Sequence, residues 1–304
     1  MVVIEVKNVI KKFGDYAASN KISFDVESGR IMGLLGPNGA GKTTMIRMIT
    51  NILIPDEGEI KVFGERVGSE HQNNIGYLPE ERGLYKKIKV LDQLIYFAQL
   101  KGMTKIDAQQ KAMYWLDKLD AKDWASKKIQ ELSKGMQQKV QFISTIIHNP
   151  DLLILDEPFS GFDPINTEVL KRIILDMRDE GKTIVLSTHV MEQAEQMCDD
   201  ICLINKGSIV LDGKIRDIKK SYGKDTIIME FEGDDSFLDE FKNLKFINRT
   251  NNRVEFRISI DSPTPKQILD VASDKVNIIK YEIVEPSLHE IFIDVVSKQE
   301  AKNE

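Results

Sequence analysis

The stretch Gly36-Pro37-Asn38-Gly39-Ala40-Gly41-Lys42-Thr43-Thr44 constrains this chain more than any other. It fits G-x-x-x-x-G-K-[ST] and stands between an apolar, strand-like run (30–35) and a helical one (42–51). Glycines in such a loop let backbone N–H groups curl around phosphate oxygens, and the helix that follows adds the partial positive charge of its N-terminus. Lys42 then reaches the terminal phosphates, and the Thr43 hydroxyl can ligate Mg2+. Asn38, Gly39, Gly41 and Thr44 complete the expected nucleotide-binding set. Strand on one side and helix on the other commit the surrounding chain to an α/β fold.

The rest of the first two thirds keeps to that pattern. Strand-like runs lie at 3–6, 22–26, 152–155 and 183–186, and helical runs at 165–179 and from 190 onward. Near-continuous apolar strands alternating with helices argue for a parallel sheet. Residues 90–119, broken at Lys101-Gly102, and 133–148 are helical; the span from about 86 to 150 reads as an inserted helical subdomain. The pattern changes near Lys219-Lys220-Ser221-Tyr222-Gly223. Beyond it come strand 226–232, helix 235–241, strands 244–249 and 253–259, helix 265–273 and strand 277–284. That β-α-β-β-α-β order is the order of a ferredoxin-like unit. A last helix is expected over 287–296, with a polar, unstructured tail from 297. The expected domains are therefore 1–219 and a small α+β domain, 220–304.

Composition narrows the partners. A net charge of −6, from 42 basic and 48 acidic residues, is a poor basis for holding nucleic acid. No run of basic residues is dense enough to hold anionic lipid. No apolar stretch approaches the ~18 residues of a membrane span, and Met1-Val2-Val3-Ile4-Glu5 does not open a signal peptide. A cytoplasmic protein is expected, with membrane contact made through a partner. Cys198 and Cys202 have no second pair to complete a zinc site, and Cys202 reads as core.

A second chemical element is Leu152-Leu153-Ile154-Leu155-Asp156-Glu157. Its apolar strand presents a carboxylate at the C-terminal end, where open α/β sheets bind ligands. Asp156 would hold Mg2+ through water, and Glu157 would polarise the attacking water. Loop and acid pair together fit an ATPase, a GTPase or a kinase.

The segment Leu132-Ser133-Lys134-Gly135-Met136-Gln137-Gln138 narrows that choice. It resembles the signature sequence of ABC ATPases, usually L-S-G-G-Q. Ser133 can cap the helix that follows, and Gly135 permits close approach to a phosphate. Lys134 stands where the family usually has glycine, and Met136 intervenes before Gln137. The resemblance implies a P-loop ABC ATPase domain with an inserted helical subdomain. It also implies a head-to-tail dimer with two ATP molecules at its interface, each met by Ser133 and Gly135 of the other chain. That second ABC ATPase chain would be identical or related. The remaining family motifs follow in order. Phe13 matches the aromatic that stacks on adenine, and Ser160-Gly161-Phe162-Asp163 matches the D-loop. His189 matches the switch histidine that contacts the terminal phosphate. Glu80 stands where the family has a glutamine that ligates Mg2+.

By resemblance, Lys42, Glu157 and His189 are catalytic, ATP and Mg2+ are the cofactors, and Thr43, Glu80 and Asp156 are the metal set. A multi-span membrane permease would dock after Glu80 and over 86–119, placing the chain at the inner face of the cell membrane without insertion. The stretches Leu78-Pro79-Glu80-Glu81-Arg82-Gly83-Leu84-Tyr85, Leu132 to Lys139 and Pro286-Ser287-Leu288-His289-Glu290-Ile291-Phe292 are similar to a bacterial exporter group. That group includes Nat-type sodium-export ATPases, so export of sodium, a drug or a peptide is implied. The rival reading is a soluble ABC ATPase acting on ribosomes or nucleic acid; the chain lacks the second cassette, coiled coils or zinc modules of such relatives. A kinase-type enzyme would leave 132–138 and His189 unexplained. The C-terminal domain reads either as a regulatory or dimer-stabilising module able to bind a ligand, or as a packing domain that lengthens the dimer interface.

Overall fold

A computed structural model describes every residue except 82, 223–225, 242, 259–261 and 304, with side chains described as far as 297. The chain divides into two compact units, Met1–Lys214 and Ile215–Glu304. The division expected at 219/220 falls inside a helix, Ile215–Tyr222, that belongs to the second unit.

The first unit opens with a long hairpin, β1 (Val2–Phe13) and β2 (Tyr16–Glu27), closed at Gly14-Asp15 with Phe13 opposite Tyr16. Its strands run well beyond the expected 3–6 and 22–26. Register shifts along the pair interrupt the two-residue alternation by which strands are recognised. After β3 (Ile31–Leu35) and α1 (Lys42–Ile49), strands β4 (Glu57–Val62) and β5 (Glu65–Arg66) join the hairpin in an antiparallel sheet of order β2-β1-β4-β5.

Next come β6 (Ile75–Leu78) and the helices α2 (Val90–Leu100), α3 (Lys105–Lys118) and α4 (Lys134–Ile146). The chain then runs through β7 (Leu152–Asp156), α5 (Pro164–Asp179), β8 (Thr183–Thr188), α6 (Met191–Met197), β9 (Asp200–Asn205) and β10 (Ser208–Lys214). The second sheet has the order β10-β9-β3-β8-β7-β6, parallel except for β10. Every residue of β3, β7 and β8 is buried, as an apolar strand covered on both faces must be. One core lies between the two sheets around Met45, Ile154 and Cys202; another joins the parallel sheet to α2–α4 around Phe142, Leu155 and Leu186. Each such side chain contributes roughly 1.5–3 kcal/mol by leaving water. Burial pushes the thiols of Cys198 and Cys202 far up. No metal-binding group of His, Cys, Asp and Glu occurs among the described residues.

The second unit contains α7 (Ile215–Tyr222), β11 (Thr226–Glu232), β12 (Lys245–Thr250), β13 (Arg253–Arg257), α8 (Pro265–Lys275), β14 (Asn277–Val284) and α9 (Leu288–Asn303). Its antiparallel sheet has the order β12-β13-β11-β14, the ferredoxin-like arrangement, over a core of Met229, Phe231, Phe237, Phe256 and Ile268. The first crossover, expected as an α-helix over 235–241, is a 3-10 turn, Asp235–Glu240. Ser236 Oγ donates to Asp234 at 2.7 Å, a local bond that competes with an α-helical start. The last helix continues to Asn303, through most of the tail expected to lack structure. The far end of the strand expected over 253–259 lies outside the described residues.

Candidate functional site

Parallel register brings three strand ends together. Leu35 pairs with Thr188 and Asp156 with Ser187, so β3, β8 and β7 finish side by side. The loop 36–44, the Asp156-Glu157 pair and His189 therefore emerge from one edge, the ligand edge of an open α/β sheet.

The loop needs its glycines. Gly36 (φ 146°) and Gly41 (φ 111°) lie in the left-handed region, and a Cβ there would sit 2.1 Å from the Ile204 carbonyl and 2.2 Å from the Ala18 carbonyl. Residues 38–44 line a cavity of about 310 Å3 with Glu80, Asp156 and Glu157. Lys42 Nζ donates to the carbonyls of Gly36 (2.7 Å) and Pro37 (3.2 Å) and lies 4.0 Å from Glu157 Oε1. Burial lowers its pKa, opposed by Glu157, Asp156 and Glu80. The ammonium is thus held by weak acceptors within reach of the cavity.

Thr43 Oγ1 donates to Asp156 Oδ2 at 3.0 Å. Burial raises the Asp156 pKa; the Ser187 and Thr43 hydroxyls pull the other way. The Ser187 hydroxyl is near enough for that effect, yet neither Ser187 Oγ nor the buried Asp156 Oδ1 completes a hydrogen bond of normal geometry. An orphaned carboxylate oxygen, a threonine hydroxyl and the Glu80 carboxylate around one cavity are hard oxygen donors of the kind Mg2+ takes alongside phosphates. These residues fit the ion.

Glu157 sits at φ 48°, unusual for a side-chain-bearing residue. Its N–H donates to the Ser187 carbonyl (3.0 Å), and its Oε1 accepts from the His189 N–H (3.1 Å) and faces His189 Nδ1 at 2.7 Å. With Nδ1 donating to a carboxylate, Nε2 of the half-exposed ring is left for another partner.

Phe13 lies outside the cavity lining, on the hairpin tip, half exposed, with Lys11 Nζ 5.8 Å from its ring centre. Tyr16, opposite Phe13, donates its hydroxyl to the Gly39 carbonyl at 2.8 Å and so ties that tip to the loop. Sequence reasoning missed Tyr16; its signal was the two-residue spacing across a glycine turn. Ser133 caps α4, its Oγ accepting from Met136 N at 3.3 Å. Neither Ser133 nor Gly135 lines the loop cavity. Asp163 caps α5, accepting from Asn166 N at 2.9 Å.

Comparison with known proteins agrees with this arrangement. The family model for ABC transporters matches residues 19–160, and that for the C-terminal domain of DrrA1-3-like ATP-binding proteins matches 213–296. An uncharacterized ABC transporter ATP-binding protein of Bacillus subtilis, YhaQ, is 44% identical over 294 residues, covering 97% of this chain and 98% of its own length. The linearmycin resistance ATP-binding protein LnrL of the same organism is 29% identical, covering 97% of this chain and 99% of its own. A solved ATP-binding subunit of an ABC transporter superimposes with a TM-score of 0.68 at 28% identity, covering 73% of this chain and 93% of that one. With the strand-end site in place and one relative matching from end to end, the chain belongs to the ATP-binding proteins of the ABC transporter family.

Proposed function

We propose that this chain hydrolyses ATP as the motor of an exporter whose transport path lies in a separate multi-span permease. The single observation that carries the hydrolytic reading is the position of Glu157 Oε1, 2.7 Å from His189 Nδ1 and 4.0 Å from Lys42 Nζ, on the wall of the loop cavity. A carboxylate so placed can take a proton from a water attacking the terminal phosphate. His189 fixes that carboxylate through Nδ1 and turns Nε2 to the phosphate. Lys42 leaves the Gly36 and Pro37 carbonyls and, with the loop amides, neutralises charge developing on the transferred group. Thr43, Asp156 and Glu80 would hold Mg2+, which supplies further charge neutralisation at the phosphates. Phe13, on the tethered hairpin tip, is offered to the adenine.

Ser133 and Gly135 reach no part of that cavity in their own chain, so they serve the nucleotide of a second chain in a head-to-tail dimer. Relatives named for Nod factor export and linearmycin resistance support export. Sodium, drug or peptide remains the substrate class of this reading, with the chain peripheral at the inner face of the membrane. No described helix is long and apolar enough to cross a membrane. Residues 1–214 act as the motor, and 215–304 extend the dimer contact.

Glu157→Gln tests the catalytic assignment. ATP turnover should fall by about 10^3-fold, the contribution of a positioned general base, with ATP binding retained. Turnover at the wild-type rate would remove Glu157 from the role.

A further inference from the structure

The loop 36–44 is braced mostly by bonds to its own carbonyls. Ala40 N donates to the Pro37 carbonyl (3.2 Å), Gly207 N to the Ala40 carbonyl (3.0 Å) and Met45 N to the Gly41 carbonyl (3.0 Å), while Lys42 takes those of Gly36 and Pro37. The Gly39 carbonyl differs, accepting from a side chain on the hairpin, the Tyr16 hydroxyl at 2.8 Å. Among the described residues no other hydrogen bond joins 13–16 to the loop. The Gly39–Ala40 peptide is planar, so its N–H, on Pro37, points away from its carbonyl and holds the plane without help from Tyr16. Gly39 is exposed, and water can accept the place of the hydroxyl there. What Tyr16 adds is therefore the position of the loop relative to the hairpin tip, more than the shape of the loop itself.

That tip carries Phe13. Phe13 and Tyr16 pair across the turn Gly14-Asp15, and both are about half exposed. Gly14 has φ 60°, and a Cβ on it would meet nothing within 4 Å, so the turn itself stands in open space. Below the turn the strand is anchored: Asp56 accepts from Lys11 Nζ at 2.8 Å and from Lys12 N at 2.7 Å. The held Lys11 ammonium lies over one face of the Phe13 ring, 5.8 Å from its centre, a cation–π contact that leaves the other face for a base. The platform is thus fixed from below by Asp56 and from the loop side by Tyr16.

We propose that Tyr16 is a positioning residue for the nucleotide, holding the Phe13 ring at a set place relative to the phosphate loop. Base and phosphates arrive as one covalent ligand, so two anchor points already at the right separation lower the ordering that binding must impose. Lys42 has to leave the Gly36 and Pro37 carbonyls to reach a phosphate. The Tyr16 bond is under no such demand, because a phosphate oxygen is an acceptor and does not compete for a carbonyl. It therefore persists with the ligand in place and couples base stacking to phosphate binding. The inference rests on the reading of Phe13 as the adenine platform and of 36–44 as the phosphate loop; it draws on neither Glu157 nor the dimer.

The test is calorimetric binding of ADP, which the proposed reaction does not consume, and of inorganic pyrophosphate, which has no base, to the full-length chain. Tyr16→Phe keeps the ring and removes the link. It should weaken ADP about fivefold, the worth of one neutral hydrogen bond, and leave pyrophosphate unchanged, which also shows that the variant is folded. Phe13→Ala should weaken ADP roughly tenfold through lost stacking, and adding Tyr16→Phe to it should cost nothing further. Wild-type ADP affinity in Tyr16→Phe overturns the proposal. So does an equal loss for pyrophosphate, which would make the hydroxyl a brace of the loop alone, or a full fivefold loss retained in the Phe13→Ala background. Wild-type ADP affinity in Phe13→Ala instead overturns the adenine-platform reading itself, and this inference with it.

Discussion

The loop 36–44 and the segment 132–138 are both glycine-bearing turns into a helix, yet the chain treats them differently. In the first, packing inside the chain dictates the glycines: side chains at Gly36 and Gly41 would collide with the carbonyls of Ile204 and Ala18. In the second, a Cβ on Gly135 would meet nothing closer than the Gly161 carbonyl at 3.8 Å, an ordinary contact. The first has its charges partnered, Lys42 on two carbonyls and Thr43 on Asp156, around a formed cavity. The second has only its own cap, Ser133 on Met136 N. At Gly135 the chain's own packing leaves room for a side chain, and the proposed dimer is what would call for the glycine. On the proposed reading, one copy carries one complete phosphate site and one half of another.

The sharpest way to break this comparison is Ser133→Arg, which blocks the second turn and leaves the first untouched. Turnover should fall by about 10^3-fold, as for loss of a donor to a developing charge, while ATP affinity of the isolated chain stays within about twofold, since the binding loop is intact. Steady-state rates and binding of a fluorescent ATP analogue separate the two. If affinity fell in step with turnover, both regions would serve one nucleotide in one chain.

A smaller effect sharpens the other end of the signature helix. His148, just past α4, sets Nε2 against the Ile75 carbonyl at 3.3 Å, tying the helix to the sheet edge. Burial, then the Lys101 charge, pushes its pKa down to about 4 from 6.5. The unfolded chain therefore takes up a proton between pH 6.5 and about 4 that the folded chain refuses. Stability is lost as pH falls through that window, by about 3 kcal/mol in all. His148→Gln should flatten that part of a urea-denaturation profile; an unchanged profile would show that His148 does not set the acid response.

The smallest effect is at Glu80. Glu80→Gln should keep most of the activity, and Glu80→Ala should lose about tenfold, the low end for weakening a metal site. Equal, wild-type rates in both would remove Glu80 from the metal set and leave Thr43 and Asp156 alone.

What was legible in the sequence follows from how each feature is encoded. The loop and the Asp156-Glu157 pair are contiguous and sit at strand ends, so spacing alone located them. The C-terminal sheet was readable because β11, β13 and β14 are separated by clear turn and helix signals, whereas the Asp234–Ser236 bond concealed the 3-10 crossover. The long hairpin was shortened in the reading by its register shifts, and Tyr16 was lost with it. The Lys89–Lys128 bridge was invisible because only tertiary pairing brings those two segments together. Single-segment chemistry reads out of a sequence; chemistry assembled from distant segments does not.

The most direct test of the half-site claim is the mass of the Glu157→Gln variant in solution, with and without ATP, by light scattering. The account predicts a monomer without nucleotide and a dimer with ATP, returned to monomer by adding Ser133→Arg although ATP still binds. A Glu157→Gln chain that binds ATP and stays monomeric, or a dimer indifferent to Ser133→Arg, would contradict it.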